Sequence, residues 1–365
     1  MRRFLFLGKV SLMKSSRAVF IVLLVLGFVV FYNGLKGEFV HDDILVLSHS
    51  FFSQPSKIFY FFSQPYFEDF YQAGLYRPLT QVSFGLNFLF GYSPFVFHLV
   101  NVFLHTVNSF LFFLLFKKLT EKKRLSFITA LLFLVLPIHV EAVTSIVGRA
   151  ELLLFLFSIL TLLVWLDSKY FLSAITLFLA LLSKETAVII PAIVFFFNWH
   201  YRRSWQWLIY YLVALGLYFG MRIAVLGEYA FKTKVEFVFN PLAYVSFPER
   251  FFTALKILVL YLTKIFVPFR LSADYSYDQI SIVTNLFSSP LALAGLAFLF
   301  LMLWVGYRIL WRKKHSVLDW VLIFFFLPYM VLSNLIFPTG TIMAERLMYL
   351  PSLGALMILA AAIDS

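Results

Sequence analysis

The 365-residue chain contains no cysteine. That absence removes disulfide staples, a thiol nucleophile and any cysteine-ligated zinc from consideration. Charge is scarce too: Asp, Glu, Lys and Arg make up 13% of the residues. A soluble domain of this size needs a polar coat, and there is too little polar material to supply one. Neither a P-loop nor a G-x-G-x-x-G run occurs, so no nucleotide-binding soluble domain is expected, and a transferase of this composition would take its donor from the membrane.

What is abundant is apolar. Hydrophobic residues account for 62% and aromatics for 20%, with 48 phenylalanines, and the mean hydropathy is +0.90. Lipid is therefore the expected solvent for much of the chain, which predicts an all-α, polytopic integral membrane protein of about 10–11 helices. The formal charge of +12 invites a nucleic-acid partner, but the basic residues fall in short clusters between apolar runs. These are Arg2, Arg3, Lys9, Lys14 and Arg17, then residues 117–124, then Arg202 and Arg203, then residues 308–314. That is the positive-inside pattern of a membrane protein, so these clusters are expected in the cytoplasm and no nucleic acid is expected.

The apolar runs predict spans at residues 18–35, 94–116, 125–137, 150–166, 170–182, 187–199, 207–226, 290–310 and 317–337, with a last helix starting at 353. A first extracytoplasmic loop then covers residues 36–78 and a second covers 138–150. The loop 36–78 is rich in aromatics and repeats FFSQP, which suggests short helices lying in the interface. The segment 254–269 carries Lys256 and Lys264. If it crosses, the basic end of the next span falls on the wrong side, so it either crosses or lies at the interface.

An ionised side chain at membrane depth costs roughly 2.5–3.5 kcal/mol on insertion scales, so clusters of them need a reason. His41, Asp42 and Asp43 follow the first span; adjacent carboxylates suit a general base or a divalent-cation seat, or are solvated loop acids. His139, Glu141, Arg149 and Glu151 sit between two apolar runs, either as a site or as a glutamate–arginine pair that pins the turn. Tyr76 and Arg77 precede a proline at a membrane boundary, where an arginine forks onto phosphate or snorkels to lipid head groups. Lys184–Glu185 and Glu345–Arg346 set a base beside an acid at two further turns. Asn101, His105 and Asn108, with His98, form one stripe that reads as interhelical hydrogen bonding.

FVHDD, YRPLTQVSFGLNF, FHLVNVFLH, LPIHVEAVTSIVGRAELL, LLSKETAVIIP, LSADYSYDQI and AERLMYLPSLG follow one another in this order. Together they resemble the GT-C class of transmembrane O-mannosyltransferases that carry tetratricopeptide repeats. The resemblance covers residues 38–354. It implies a GT-C bundle in which residues 1–365 form a single transmembrane domain. It also implies inverting transfer of a mannose-like hexose from a polyprenyl-phosphate sugar to a hydroxyl, that of a protein Ser or Thr, on the extracytoplasmic face. Asp43 or Asp42 would be catalytic base or metal ligand, with Asp43 preferred. Arg77, Arg149 and Arg346 would hold the donor phosphate. His41, Tyr76, His139, Glu141, Lys184, Glu185 and Glu345 would shape the sugar or acceptor pocket. A divalent cation is possible and no other cofactor is implied. The repeats are missing, so the chain is expected to end before a C-terminal repeat domain or to work with a separate repeat protein. A prokaryotic inner membrane is the expected location. The rival reading is a carrier or flippase for lipid-linked sugars.

Overall fold

The computed structural model describes residues 15–40, 42–48, 52, 55–68, 70–232, 234–311 and 317–364. Among them are α1 (Ser16–Val30), α2 (Asp42–Leu47), α3 (Pro78–Phe88), α4 (Pro94–Thr120), α5 (Lys123–Val135), α6 (Val140–Thr144), α7 (Arg149–Leu166) and α8 (Tyr170–Ser183). The second half supplies α9 (Ile190–Tyr201), α10 (Trp207–Leu226), α11 (Phe247–Phe266), α12 (Pro290–Trp311), α13 (Val317–Val321), α14 (Leu327–Leu332) and α15 (Ser352–Asp364). No strand occurs among the described residues, as the composition predicts for an all-α membrane protein.

Proline sets several helix starts. Pro78, Pro94 and Pro290 each open their helix, where the missing N–H costs nothing and the ring fixes φ. Pro137 does the opposite to α5: the chain bends by 53° between α5 and the segment Pro137–Thr144. Four helices are long and apolar enough to cross a membrane, or five if that bent pair counts as one span. The chain is an integral membrane protein by this measure. Three expected spans are only short apolar helices: α1, α8 and the segment Asp319–Leu332. That last segment contains a π-helical stretch, Leu322–Phe326.

The two ends of the bundle differ chemically. At one end Lys118 pairs with Asp167, and Arg203 Nη1 donates to Ser168 Oγ at 2.7 Å while stacking 5.3 Å from the Trp165 ring. These residues come from the clusters expected in the cytoplasm; we name this end the basic rim. Glu151, in the first turn of α7, lies at the other end. An 18-residue helix is about 27 Å long, close to the hydrocarbon thickness of a bilayer.

The lysine-bearing helix α11 is not among the helices long and apolar enough to cross, and its flanks meet. Before it, Val238 O accepts from Tyr277 N at 3.0 Å, a residue that follows it, so both flanks return to one end. Its lysines bond that returning loop: Lys256 Nζ donates to Ser281 O at 2.9 Å and Lys264 Nζ to Arg270 O at 2.8 Å. A capping box of Ser246 and Glu249 starts the helix. It then presses on α12 so tightly that a Cβ on Gly295 would enter the Leu255 carbonyl.

The stripe on α4 is interhelical. Asn101 Nδ2 donates to Ser145 O at 2.9 Å, and Asn108 Nδ2 to Leu152 O at 2.9 Å. His105 Nε2 faces Leu134 O at 3.0 Å and must carry the proton there, so Nδ1 accepts from the Tyr349 hydroxyl at 2.7 Å. His98 lies instead against Gly37.

Gly295→Ala should push α11 off α12 and lower stability by about 1–3 kcal/mol. Gly216→Ala, where a Cβ meets nothing within 4 Å, is the control. Thermal unfolding in detergent measures both, and equal midpoints for the two variants would refute the close approach.

Candidate functional site

The end of the bundle opposite the basic rim is stitched by ion pairs between residues far apart in the chain. Arg77, just before α3, forks onto Glu185, Nε to Oε2 at 2.9 Å and Nη2 to Oε1 at 2.5 Å. Lys184 pairs with Glu151, both almost fully buried. Arg346 Nη1 pairs with Glu141, whose second oxygen accepts from Arg346 N at 2.8 Å. Glu345 accepts from the Tyr275 hydroxyl at 2.5 Å and from Ser272 N at 2.8 Å. The sequence sets Lys184 beside Glu185 and Glu345 beside Arg346, yet no member of either doublet pairs with its neighbour. Each reaches a different element, so every doublet ties two others together.

Asp42 and Asp43 open α2 and point apart. Asp43 is 1% exposed. Its Oδ1 accepts from Val147 N at 3.0 Å and its Oδ2 from Val40 N at 3.3 Å. The first of these bonds locks the loop after the first helix to the turn between α6 and α7. That turn is tight, because a Cβ on Gly148 would collide with the Ala142 carbonyl. Asp42 is exposed, and its carboxylate has no hydrogen-bond or ion-pair partner among the described residues. Arg346 lies within electrostatic reach of Asp42 and Glu151, and Arg77 within reach of Glu151. Asp42, Asp43, Arg77, Glu141, Glu151, Lys184, Glu185, Glu345 and Arg346 therefore share one rim.

Other expectations change. Arg149 is completely buried, and every nitrogen of its guanidinium is engaged: Nε on Asn101 Oδ1 at 2.8 Å, Nη1 on Asn87 Oδ1 and Ser83 O, and Nη2 on Phe97 O at 2.9 Å. Phe84 covers it at 4.8 Å. It anchors α3 and α4 to α7 and offers no open edge to a phosphate. Nor does it pair with Glu141 or Glu151 to pin the turn. His139 is buried between Phe133 O, 2.9 Å from Nδ1, and Ser352 Oγ, 2.9 Å from Nε2, so it braces α5 against α15. Tyr76 is buried and donates to Phe62 O at 2.7 Å. His41 lies outside the described residues. For a cation, both oxygens of Asp43 are taken by backbone amides. Among the described residues no three His, Asp or Glu side chains gather as a ligand set.

Sequence reading missed α3, which carries Ser83 and Asn87, and it missed Arg222. That residue donates to Gly74 O at 2.6 Å and Ala230 O at 2.9 Å. Its visible signal was an arginine four residues from the end of an otherwise apolar span.

The charges shift one another. Burial alone would raise the Glu185 carboxyl, but Arg77, followed by Lys184 and Arg222, holds it down to about 2 from an ordinary 4.5. Burial also pushes the Lys184 ammonium below its ordinary value, against the pull of Glu151. Because the folded carboxyl of Glu185 titrates below the unfolded one, its stabilisation is complete above pH 4.5 and is lost as pH falls toward 2. Acid unfolding followed from pH 5 to 2 should therefore be shallower in Glu185→Gln than in the parent chain. Glu151→Gln leaves the Lys184 ammonium buried and unpaired, and should cost about 3–5 kcal/mol. Lys118→Ala breaks an exposed pair at the basic rim and should cost under about 1 kcal/mol. Denaturation in detergent ranks the two, and a larger loss for Lys118→Ala would contradict the buried pairing.

A Caenorhabditis elegans protein O-mannosyl-transferase is 30% identical over 358 residues, which is 92% of this chain and 49% of that protein. A human one is 28% identical over 376 residues, covering 90% of this chain and 40% of that protein. A mouse one reaches 42% identity over 131 residues, 33% of this chain and 14% of that protein. The chain thus spans half or less of the length of these relatives. No family profile matches it, and no solved structure does. Over 92% of its length, this chain is a homologue of the protein O-mannosyl-transferases.

Proposed function

We propose that the chain is a GT-C-type glycosyltransferase that moves a mannose-like hexose from a polyprenyl-phosphate sugar to a Ser or Thr hydroxyl of a protein. The observation that carries this reading is that an exposed Asp42 and a partly open Arg346 share one rim, in a chain whose relatives are named protein O-mannosyl-transferases. Arg346 is 33% exposed at its side chain, and only its Nη1 is spent on Glu141. Nε and Nη2 are left for a phosphate, which a guanidinium grips in two-point fashion.

The roles follow from what each group has free. Asp42 takes the proton of the acceptor hydroxyl. The acceptor oxygen forms a bond to the anomeric carbon, the bond from that carbon to the phosphate oxygen breaks, and the phosphate departs with the electron pair onto Arg346. Attack opposite to the leaving phosphate inverts the anomeric centre. Asp43, tied to Val147 N, positions the loop that presents Asp42. Arg77, Arg149, Lys184, Glu185 and Glu151 hold the walls. With the basic rim on the cytoplasmic side, as the positive-inside rule demands, the site faces the extracytoplasmic side. A bacterial inner membrane is expected from composition alone; the three relatives named above are animal proteins. A separate repeat-containing protein for acceptor recognition remains part of this proposal.

Asp42→Asn should lower transfer by about 10²–10⁴-fold while leaving the melting point unchanged. Asp43→Asn turns an amide toward a backbone N–H and should cost about 1–3 kcal/mol of stability as well as activity. The assay uses membranes, a radiolabelled polyprenyl-phosphate sugar and an acceptor protein. Full activity in Asp42→Asn removes the base assignment, and label carried across the bilayer without reaching protein favours a flippase.

A further inference from the structure

The loop at residues 36–78 buries a tyrosine that no sequence motif singled out. Tyr66 is 2% exposed, and its hydroxyl has no hydrogen-bond partner among the described residues. A buried, unpaired hydroxyl is costly and calls for a reason. The contrast with Tyr76 is direct, since that hydroxyl is spent on Phe62 O.

The Tyr66 ring is held in place. Its backbone N donates to Leu75 O at 2.9 Å. Gln81 Nε2 clamps the carbonyls of Pro65 at 3.1 Å and of Tyr66 at 3.2 Å. The guanidinium of Arg77 lies 5.1 Å above the ring centroid, itself fixed by Glu185. The Phe67 ring packs against it edge to face, with the centroids 5.2 Å apart. The hydroxyl thus has a set position, within electrostatic reach of Asp42, Asp43, Arg77 and Glu185 and also of Arg149. Burial, followed by the neighbouring acids, pushes the phenol well above its ordinary value against the pull of Arg77. It therefore stays a neutral O–H donor.

A transfer reaction offers such a donor two kinds of oxygen. On the acceptor hydroxyl, a donated hydrogen bond would draw electron density from the nucleophile that Asp42 is to activate. On the phosphate, it would stabilise the negative charge that grows as the bond to the sugar breaks. Only the second placement helps the reaction.

We propose that Tyr66 is a donor-binding residue, its hydroxyl donating a hydrogen bond to a phosphate oxygen of the bound lipid-linked sugar. This inference rests on the reading of the rim as a polyprenyl-phosphate-sugar transferase.

The test compares the full chain with Tyr66→Phe, using polyprenyl phosphate without sugar as the probe. Without ligand, Tyr66→Phe should melt no lower than the parent, because it removes an unpaired hydroxyl. Its affinity for polyprenyl phosphate should fall about 10- to 100-fold, and transfer should slow at saturating donor. That combination, unchanged or higher stability with weaker binding, is not produced by a purely structural residue. Equal affinity in the two proteins overturns the inference, and so does a lower melting point without ligand, which would mean that the hydroxyl has an internal partner. A parent chain that does not bind polyprenyl phosphate at all overturns the donor reading itself and this inference with it.

Discussion

The structure depends on one constraint: ionised side chains that cannot be left alone in a lipid-solvated chain. Lys184 is 5% and Glu151 4% exposed. An isolated charge at such depth would be neutralised or driven to water. Each therefore requires its partner, and the partner lies on a different element. The same holds for Arg77 with Glu185 and for Arg346 with Glu141. Because no pair is local, satisfying the charges also fixes how the loop before α3, the turn after α8, the first turn of α7 and the segment before α15 meet. Hydrophobic packing in lipid does not specify such a register, since acyl chains compete equally well for apolar faces.

Arg149 shows another solution to the same problem. Its charge meets no carboxylate. It is dispersed over the neutral oxygens of Asn87, Asn101, Ser83 and Phe97 and over the faces of two phenylalanines. A guanidinium suits this because its charge is delocalised and its donors fan out in a plane. The cage needs acceptors from α3, from both turns of α4 near its start, and from nothing charged. The cation thus works as a joint between three helices and leaves the acids of the rim to other partners.

Much of this was legible in sequence. Span ends at residues 94, 149, 166 and 226 fall where apolar runs meet Pro, Gly or charge, since those residues end helices by local chemistry. The interhelical stripe on α4 was legible for a similar reason: Asn101, His105 and Asn108 recur at helical spacing in an apolar context. Pairing was not legible. Glu141, Ser145 and Arg149 would share a face only in an unbroken helix; Pro137 and Gly148 speak for a break, and α6 does end at Thr144 with Ser145 extended. What the sequence does not show is that Glu141 turns to a residue 205 positions away. Likewise α3 was invisible, because Ser83, Asn87 and Gln81 dilute its apolar signal, and its burial comes from Arg149 and the loop before it. Hydropathy left α11 open, and it could not show the loop that returns along the helix to meet Lys256 and Lys264.

Two adjacent acids illustrate how local geometry assigns distinct tasks without any change in chemistry. Successive residues on a helix diverge by roughly 100°, so Asp42 and Asp43 cannot face the same way. Once Val46 and Leu47 are buried in the apolar cluster beneath the first loop, the register of α2 is set and Asp43 must turn inward, where only backbone amides can satisfy it. Asp42 is then turned out by the same register. Both sit in the first helical turn, where the exposed N–H groups favour negative charge, so neither acid opposes the helix that orients them. A substitution that shifted the register of α2 by one residue would exchange their places, burying Asp42 and freeing Asp43. The division between the acid that ties loops and the acid that faces solvent is therefore a property of the packing of Val46 and Leu47, and not of either aspartate.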